Sequence, residues 1–340
     1  MTQSTIRRRI SGSIAAVLGL LLWSTPSEAW STAATTFSGQ AVAARVTILS
    51  PLSFTAALAD TGPLPASGGA REASLLEVSN DGLSADVLHA STVGEGGQTR
   101  SEASIADLSL TIGGNTLSAS FLSSQAATTC QAQGPAVSGG SQIVDLAING
   151  QLITVAGSPN QTVPLPNGRV VINEQSGGVS GSTAQMTVTA VHVVVDGIAD
   201  IALAYAHADI TCSSTACIPS HEFVTGGGWI TGPSGAKATF AVSGGTEPGW
   251  GHLVYIEHAQ TPVRVRATTI TGYENLGGNM RRITGTAEVN GQSGFAFTVD
   301  VADNGEPGAG VDTFALQVSN GYNASGTLGG GNIQLHHPCP

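Results

Sequence analysis

The feature that most constrains this chain is an alternation that recurs along nearly its whole length. Short stretches of alternating apolar and polar residues follow one another from Ala44 onward, and no segment keeps a helical period of 3.6. Alternation places every second side chain on one face, so each stretch reads as a strand with one buried side. In the first half these are Ala44 to Leu49, Ser84 to Thr92, Ser104 to Ile112, Leu117 to Leu122, Ile143 to Ile148, Val170 to Asn173 and Met186 to Val195. In the second half they are Glu222 to Ile230, Ala238 to Val242, His252 to His258, Val263 to Thr271, Ile283 to Val289, Phe295 to Val301, Phe314 to Val318 and Ile333 to His336. Between them stand Asp81-Gly82, Asn149-Gly150, Asn167-Gly168, Asp196-Gly197, Asn290-Gly291 and Asn320-Gly321. Such pairs accept the positive φ angles of tight hairpins, so neighbouring strands are expected to be antiparallel. The expected fold class is all-β: two antiparallel β domains, the second a β-sandwich or small barrel of about seven to eight strands. The long break in the pattern, Leu58 to Arg71, is rich in Pro and Gly and reads as a surface loop.

The N-terminus has its own logic. Arg7, Arg8 and Arg9 precede the apolar run Ile14 to Trp23, then Pro26 and the small-ended Ser27-Glu28-Ala29. Basic, apolar and cleavage regions in that order describe a secretory signal peptide cleaved near Ala29, because the apolar core is too short to span a bilayer. Removing it changes the formal charge from −11 to −13, with 9 Lys and Arg against 22 Asp and Glu. One lysine, Lys237, and no basic run exclude a phosphate-binding surface, so nucleic acid is not an expected partner. No later stretch reaches the roughly 20 apolar residues of a transmembrane helix, so no integral span is expected after signal cleavage.

In an exported chain the four cysteines imply two disulfides, for which three connectivities exist. Pairing Cys130 with Cys212 and Cys217 with Cys339 closes each half on itself. The expected organisation is therefore a signal peptide at 1–29, an N-terminal β domain at 30–213 and a C-terminal domain at 217–340, joined by a short tether.

Several segments of the first half, TTFSGQAVAARVTIL at Thr35 to Leu49, LADTGPLPASGGA from Leu58, Cys130 after small residues, NEQ at Asn173 to Gln175 and AVHVVVDGIADI leading toward Cys212, together resemble the bacterial choice-of-anchor P family of surface proteins. The resemblance spans Thr35 to Cys212 and implies an extracellular β domain without assigned catalytic residues. In the second half GGGWI, GHLVYIEH, DNGEPG and GGGNIQL resemble the module that often follows choice-of-anchor domains. No C-terminal attachment signal accompanies them.

Chemistry is sparsely marked. Asp300, Asp303, Asn304, Glu306 and Asp312, interleaved with Gly305, Gly308 and Gly310, supply hard oxygen ligands on a backbone able to curl, which suits calcium; the spacing is not that of an EF-hand, and the same residues also serve as turn formers. His252 and His258 fall on one face of a strand, about 20 Å apart by strand rise, too far to share a metal. A zinc site would need one of them beside His221, His336 or His337. Trp229, Trp250 and Tyr255 are the residues able to form a stacking platform for a sugar or an apolar ligand. No nucleophile elbow and no phosphate-cradling loop occur. The chain is therefore expected to be an exported cell-surface or extracellular structural or interaction protein, not an enzyme, with an extracellular or cell-wall partner. A binding module for calcium-dependent or carbohydrate recognition in the second domain is the alternative, and a secreted hydrolase the third.

Overall fold

The computed structural model describes residues 34–51, 53–80, 82–131, 133–213 and 222–336. The expected signal peptide, the expected Cys217–Cys339 bridge, most of the tether, His221 and His337 lie outside the described residues.

All regular structure among the described residues is β. The first half forms β1 (Thr36–Ile48), β2 (Phe54–Asp60), β3 (Gly69–Leu75), β4 (Val78–Ser79), β5 (Leu83–Ala85), β6 (Val87–Glu95), β7 (Gln98–Ile112) and β8 (Asn115–Gln131). It continues with β9 (Gly134–Val144), β10 (Ala147–Ile148), β11 (Gln151–Leu152), β12 (Gln161–Leu165), β13 (Gly168–Ser180), β14 (Thr183–Val195) and β15 (Ala199–Thr211). The second half forms β16 (Phe223–Thr231), β17 (Lys237–Gly245), β18 (Gly251–Glu257), β19 (Val263–Gly277) and β20 (Met280–Val289). It ends with β21 (Gln292–Ala302), β22 (Thr313–Val318), β23 (Asn323–Thr327) and β24 (Gly330–His336). Every pairing is antiparallel, and Asn149-Gly150 and Asn290-Gly291 both take the two positive φ angles of a tight hairpin (50° and 77°, 47° and 82°).

The first half is a sandwich of two sheets. One has the order β12-β13-β14-β15-β1-β2; the other runs β11-β10-β8-β7-β5-β4, with β3-β6 also beside β7 and β9 beside β8. The second sheet forks because β7 and β8 are 15 and 17 residues long, enough to carry two short partners end to end. Leu88, Ile105 and Leu122 of this sheet meet Val191, Ile201 and Leu203 of the other in one apolar core. A disulfide between Cys130, on β8, and Cys212, just past β15, staples the two sheets. One line across the first sheet is creased. The ladders skip Asn173, Ala190, Ala204, Ala43 and Ala59, and alternate members of that line, Asn173, Ala204 and Ala59, have φ of 51°, 50° and 48°. Larger or branched side chains fit that backbone poorly, which gives the alanines of the crease a structural reason.

The second half is one sheet of nine strands, in the order β23-β22-β21-β20-β19-β18-β17-β16-β24. Its last strand therefore pairs with its first, and three register shifts along β19 bend the sheet so that it rolls around its own core. The rings of Phe240 and Phe314 stack across that core at 3.9 Å. Nine strands replace the expected seven or eight, since the NASGT of β23 has too little apolar alternation to reveal itself.

The described residues from Ala34 onward belong to one compact unit. Period two explains how the halves meet. On β17 and β18, Phe240, Val242, Leu253 and Tyr255 point into the rolled sheet, while Ala241, Val254 and Ile256 point out against Val87, Ala106 and Phe121 of the sandwich. The Pro- and Gly-rich break narrows to residues 61–68 and is pinned along β1 by Leu64 N to Gly39 O (2.8 Å) and Phe37 N to Ala66 O (3.1 Å).

Candidate ligand-binding cleft

Strands whose inward residues build the sandwich core must present their alternate residues outward, and in β3, β6, β7, β8 and β9 many of these are polar. Registration aligns them into two rows. Ser74, His89, Ser104, Ser123 and Gln142 form one; Glu72, Ser91, Glu102, Gln125 and Gly140 form the other. The rolled sheet covers part of this face and leaves a cavity of about 350 Å³ between the halves. His89, Glu102, Ser104, Gln125 and Gln142 line its sandwich side; Gly227, Glu306, Pro307, Gly331 and Asn332 line the other.

The carboxylates are held by a shared set of donors. Arg100 donates to Glu102 Oε1 through Nε (3.1 Å) and Nη2 (2.8 Å), and the same Nη2 donates to Glu306 Oε1 (2.9 Å). Gln125 Nε2 adds a bond to Glu102 Oε1 (2.7 Å), and Asn332 Nδ2 reaches both carboxylates at 3.3 Å. The backbone of Gly331 donates to Gln142 Oε1 (2.8 Å), so the cleft is closed at that side by direct bonds between the halves. Burial pushes the Glu306 carboxyl above its usual range and the neighbouring Glu102 adds to this, while the Arg100 guanidinium opposes it.

His89 is 2% exposed, and burial lowers its pKa below 6.5, so the ring is neutral at pH 7. Its tautomer follows from its neighbours. Ser74 has a single hydroxyl proton, which it donates to Glu72 Oε1 (2.7 Å), so the 2.9 Å contact between Ser74 Oγ and His89 Nδ1 is supplied by the ring N–H. Nε2 is then a bare lone pair, sealed from solvent and without a partner among the described residues. Glu72 is itself tied to the rolled sheet, accepting from Ser243 Oγ at 3.1 Å. Gly227 lies over this corner: a β-carbon there would sit 3.1 Å from Ser104 Oγ and 3.2 Å from His89 Cδ2.

The residues singled out from the sequence are scattered relative to this cleft. Of the five proposed oxygen ligands only Glu306 enters it. Asp300 makes a two-pronged pair with Arg282 (2.7 and 2.8 Å); Asp303 Oδ2 accepts from Leu335 N (2.8 Å). Asp312 is fully buried, with Oδ1 on Asn304 N (2.7 Å) and Oδ2 on Ile333 N (2.8 Å), which fastens the loop to β24. Trp229 is wedged against Gly329 and Gly330, with Lys237 Nζ 5.5 Å from its ring centroid. Trp250 packs edge-on to Phe223 at 5.4 Å and borders a small recess with Glu95 and Glu247. Tyr255 shows no surface to solvent, its hydroxyl bonded to that of Tyr322 at 2.7 Å. His252 is half-buried with Nε2 unpartnered, close enough to His89 to lower that ring's pKa.

Among the described residues, Asp86, Asp107 and His258 are one group of three metal-type ligands drawn together. His258 Nδ1 lies 3.0 Å from Asp86, its Nε2 lies 2.9 Å from Thr239 Oγ1, and Lys237 Nζ lies 3.5 Å from Asp107. An ammonium beside the carboxylates makes this an ion-pair seam between the halves.

No protein-family model and no curated protein matches this chain. Among solved structures it is similar to the kievitone hydratase of Nectria haematococca, with 11% identity over 89% of each chain and a TM-score of 0.19. That score is too low to carry an argument about fold or activity.

Proposed function

We propose that the protein is an extracellular binding module and that it takes a small, hydroxyl-rich ligand, a carbohydrate by chemistry, into the cleft between its halves. The observation that carries this reading is the cavity of about 350 Å³ between the halves, lined by Glu102, Glu306, Gln125, Gln142, Asn332 and His89. Concave sites of about 300 to 1,000 Å³ with a few convergent polar groups are where small molecules bind, and interfaces between structural units are their common place. The Cys130–Cys212 bridge supports a life in an oxidising compartment, and the resemblance of the first half to surface proteins points the same way. Thermal-shift and calorimetric titration of the protein, from Trp30 onward, with a panel of neutral and amino monosaccharides and disaccharides tests the reading. Saturable binding that weakens in Asn332→Ala is the expected result. A panel without heat or stabilisation from any member would refute it.

A further inference from the structure

We propose that the cleft selects an amine-bearing, hydroxyl-rich ligand of monosaccharide size, whose ammonium group sits between the free oxygens of Glu102 and Glu306. This rests on the binding reading above and adds a ligand class to it.

Charge is the first argument. The lining contains two carboxylates and no lysine or arginine. The nearest cation, Arg100, is 11% exposed and spends its bonds on one oxygen of each carboxylate, Glu102 Oε1 and Glu306 Oε1. Neither Oε2 takes a hydrogen bond from a described residue. One guanidinium against two carboxylates leaves a negative excess in a partly desolvated site, and a chain of formal charge −11 adds a field of the same sign.

The second argument is the sign of the hydrogen bonds on offer. Glu102 Oε2 and Glu306 Oε2, as carboxylate oxygens, accept only. The amide donors of Gln125 and Asn332 are turned onto the carboxylates, and those of Asn332 reach both. Gln142 Nε2 and the hydroxyls of Ser104 and Ser123 remain donors in the same lining, so it is the two charged acceptors that single out a cationic donor. An ammonium supplies three donors and a positive charge at one atom, and ring hydroxyls can meet the Gln142 and serine groups of the lining.

A bare divalent ion meets the carboxylates less well. Arg100 Nη2 already stands within hydrogen-bond distance of both Oε1 atoms, 2.8 and 2.9 Å, in the space a bridging metal would need, and the cavity is far larger than an ion.

The test is calorimetric titration of the protein with D-glucosamine, D-glucose, N-acetyl-D-glucosamine and calcium chloride, repeated on Glu306→Gln. Glucosamine should bind at least about ten-fold tighter than glucose or its acetylated form, since a charge-assisted bond replaces a neutral one. In Glu306→Gln that preference should fall to within about three-fold, with the variant's melting temperature and circular dichroism confirming that it folds. Equal or tighter binding of the neutral sugars would overturn the amine assignment and leave the binding reading standing. Calcium heat abolished by Glu306→Gln, without an amine preference, would overturn it in favour of a metal. No binding by any sugar would remove both.

Discussion

Arg100 and Glu306 are 206 positions apart in the chain and 2.9 Å apart in the fold. One comes from β7 of the sandwich and the other from the loop before β22, so a single guanidinium ties the two halves at the mouth of the cleft. Replacing Arg100 with Met leaves Glu102 and Glu306 facing each other without their common donor. We expect a loss of about 1.5 to 3 kcal/mol in urea unfolding, the range for hydrogen bonds to charged groups, and less than for a fully buried pair because the Glu306 side chain is 42% exposed. Adding Glu306→Gln should restore part of it by removing the repulsion. An Arg100→Met protein as stable as the parent would contradict the shared-donor account.

His89 should make the protein acid-sensitive. Its folded pKa lies below 6.5 because burial disfavours the imidazolium, an effect that His252 reinforces and Glu72 and Glu102 oppose. A depressed histidine contributes stability above the unfolded value that is lost as pH falls below it, because only the unfolded ring accepts the proton freely. Unfolding free energy should therefore decline below about pH 6.5, and His89→Gln should flatten that decline. Glu306 and Asp312, raised by burial, act with the opposite sign, so the comparison with the variant is the deciding measurement.

At the alkaline end the rolled sheet carries its own limit. Tyr255 is pushed up to about 12 by burial in a core that cannot take a phenolate. Its contribution is complete below the ordinary tyrosine value of 10 and is lost as pH rises toward 12. Circular dichroism between these values should show the second half failing, and Tyr255→Phe with Tyr322→Phe should delay it. No delay would mean that another group governs alkaline unfolding.

Neighbouring glycines of β16 should respond differently to the same change. A β-carbon on Gly228 would lie 2.3 Å from the carbonyl oxygen of Gly330, which is backbone and cannot step aside. Gly228→Ala should therefore cost about 2 to 3 kcal/mol. On Gly227 the added carbon meets the side chains of Ser104 and His89 at 3.1 and 3.2 Å, and the nearest backbone atom, Phe240 O, is at an ordinary contact distance of 3.6 Å. Gly227→Ala should fold with little loss and bind any cleft ligand more weakly. Equal thermal shifts in the two variants would sink the distinction.

The disulfide closes a loop with a sequence separation of 82, for which chain entropy predicts a contribution of about 4 to 5 kcal/mol. The paired substitution Cys130→Ser with Cys212→Ser should lower denaturation free energy by most of that amount. A non-reducing peptide map should contain the Cys130–Cys212 peptide, and its absence would refute the pairing.

The strands were legible where burial is one-sided. β20 and β21 show their alternation directly, and Asn149-Gly150 and Asn290-Gly291 mark turns whose backbone matches the expectation. β15 is harder to read because its alternation slips at Ala204, so that the buried set passes from Ile201 and Leu203 to Ala206, Ala208 and Ile210, and because alanine, its commonest residue, has weak strand preference. The cleft was not legible. Ser74, His89, Ser104, Ser123 and Gln142 are single polar residues on five strands, and only pairing register sets them in one row. Glu306 stands out in its glycine-rich loop as an oxygen donor, but nothing in SEAS marks Glu102 as its companion across the halves.

The chain enters and leaves each half at adjacent points, with Thr36 paired to Thr211 and Phe223 to His336. Antiparallel strands pulled from a shared end open one hydrogen bond at a time instead of resisting together in shear. A tensile load borne by the pairing of β16 and β24 alone would thus peel the two strands apart with little force. In the sandwich the covalent link intercepts it: force arriving at Cys212 passes through sulfur to Cys130 and into β8, at the middle of a sheet. The bridge therefore shares with β15 whatever load arrives at Cys212.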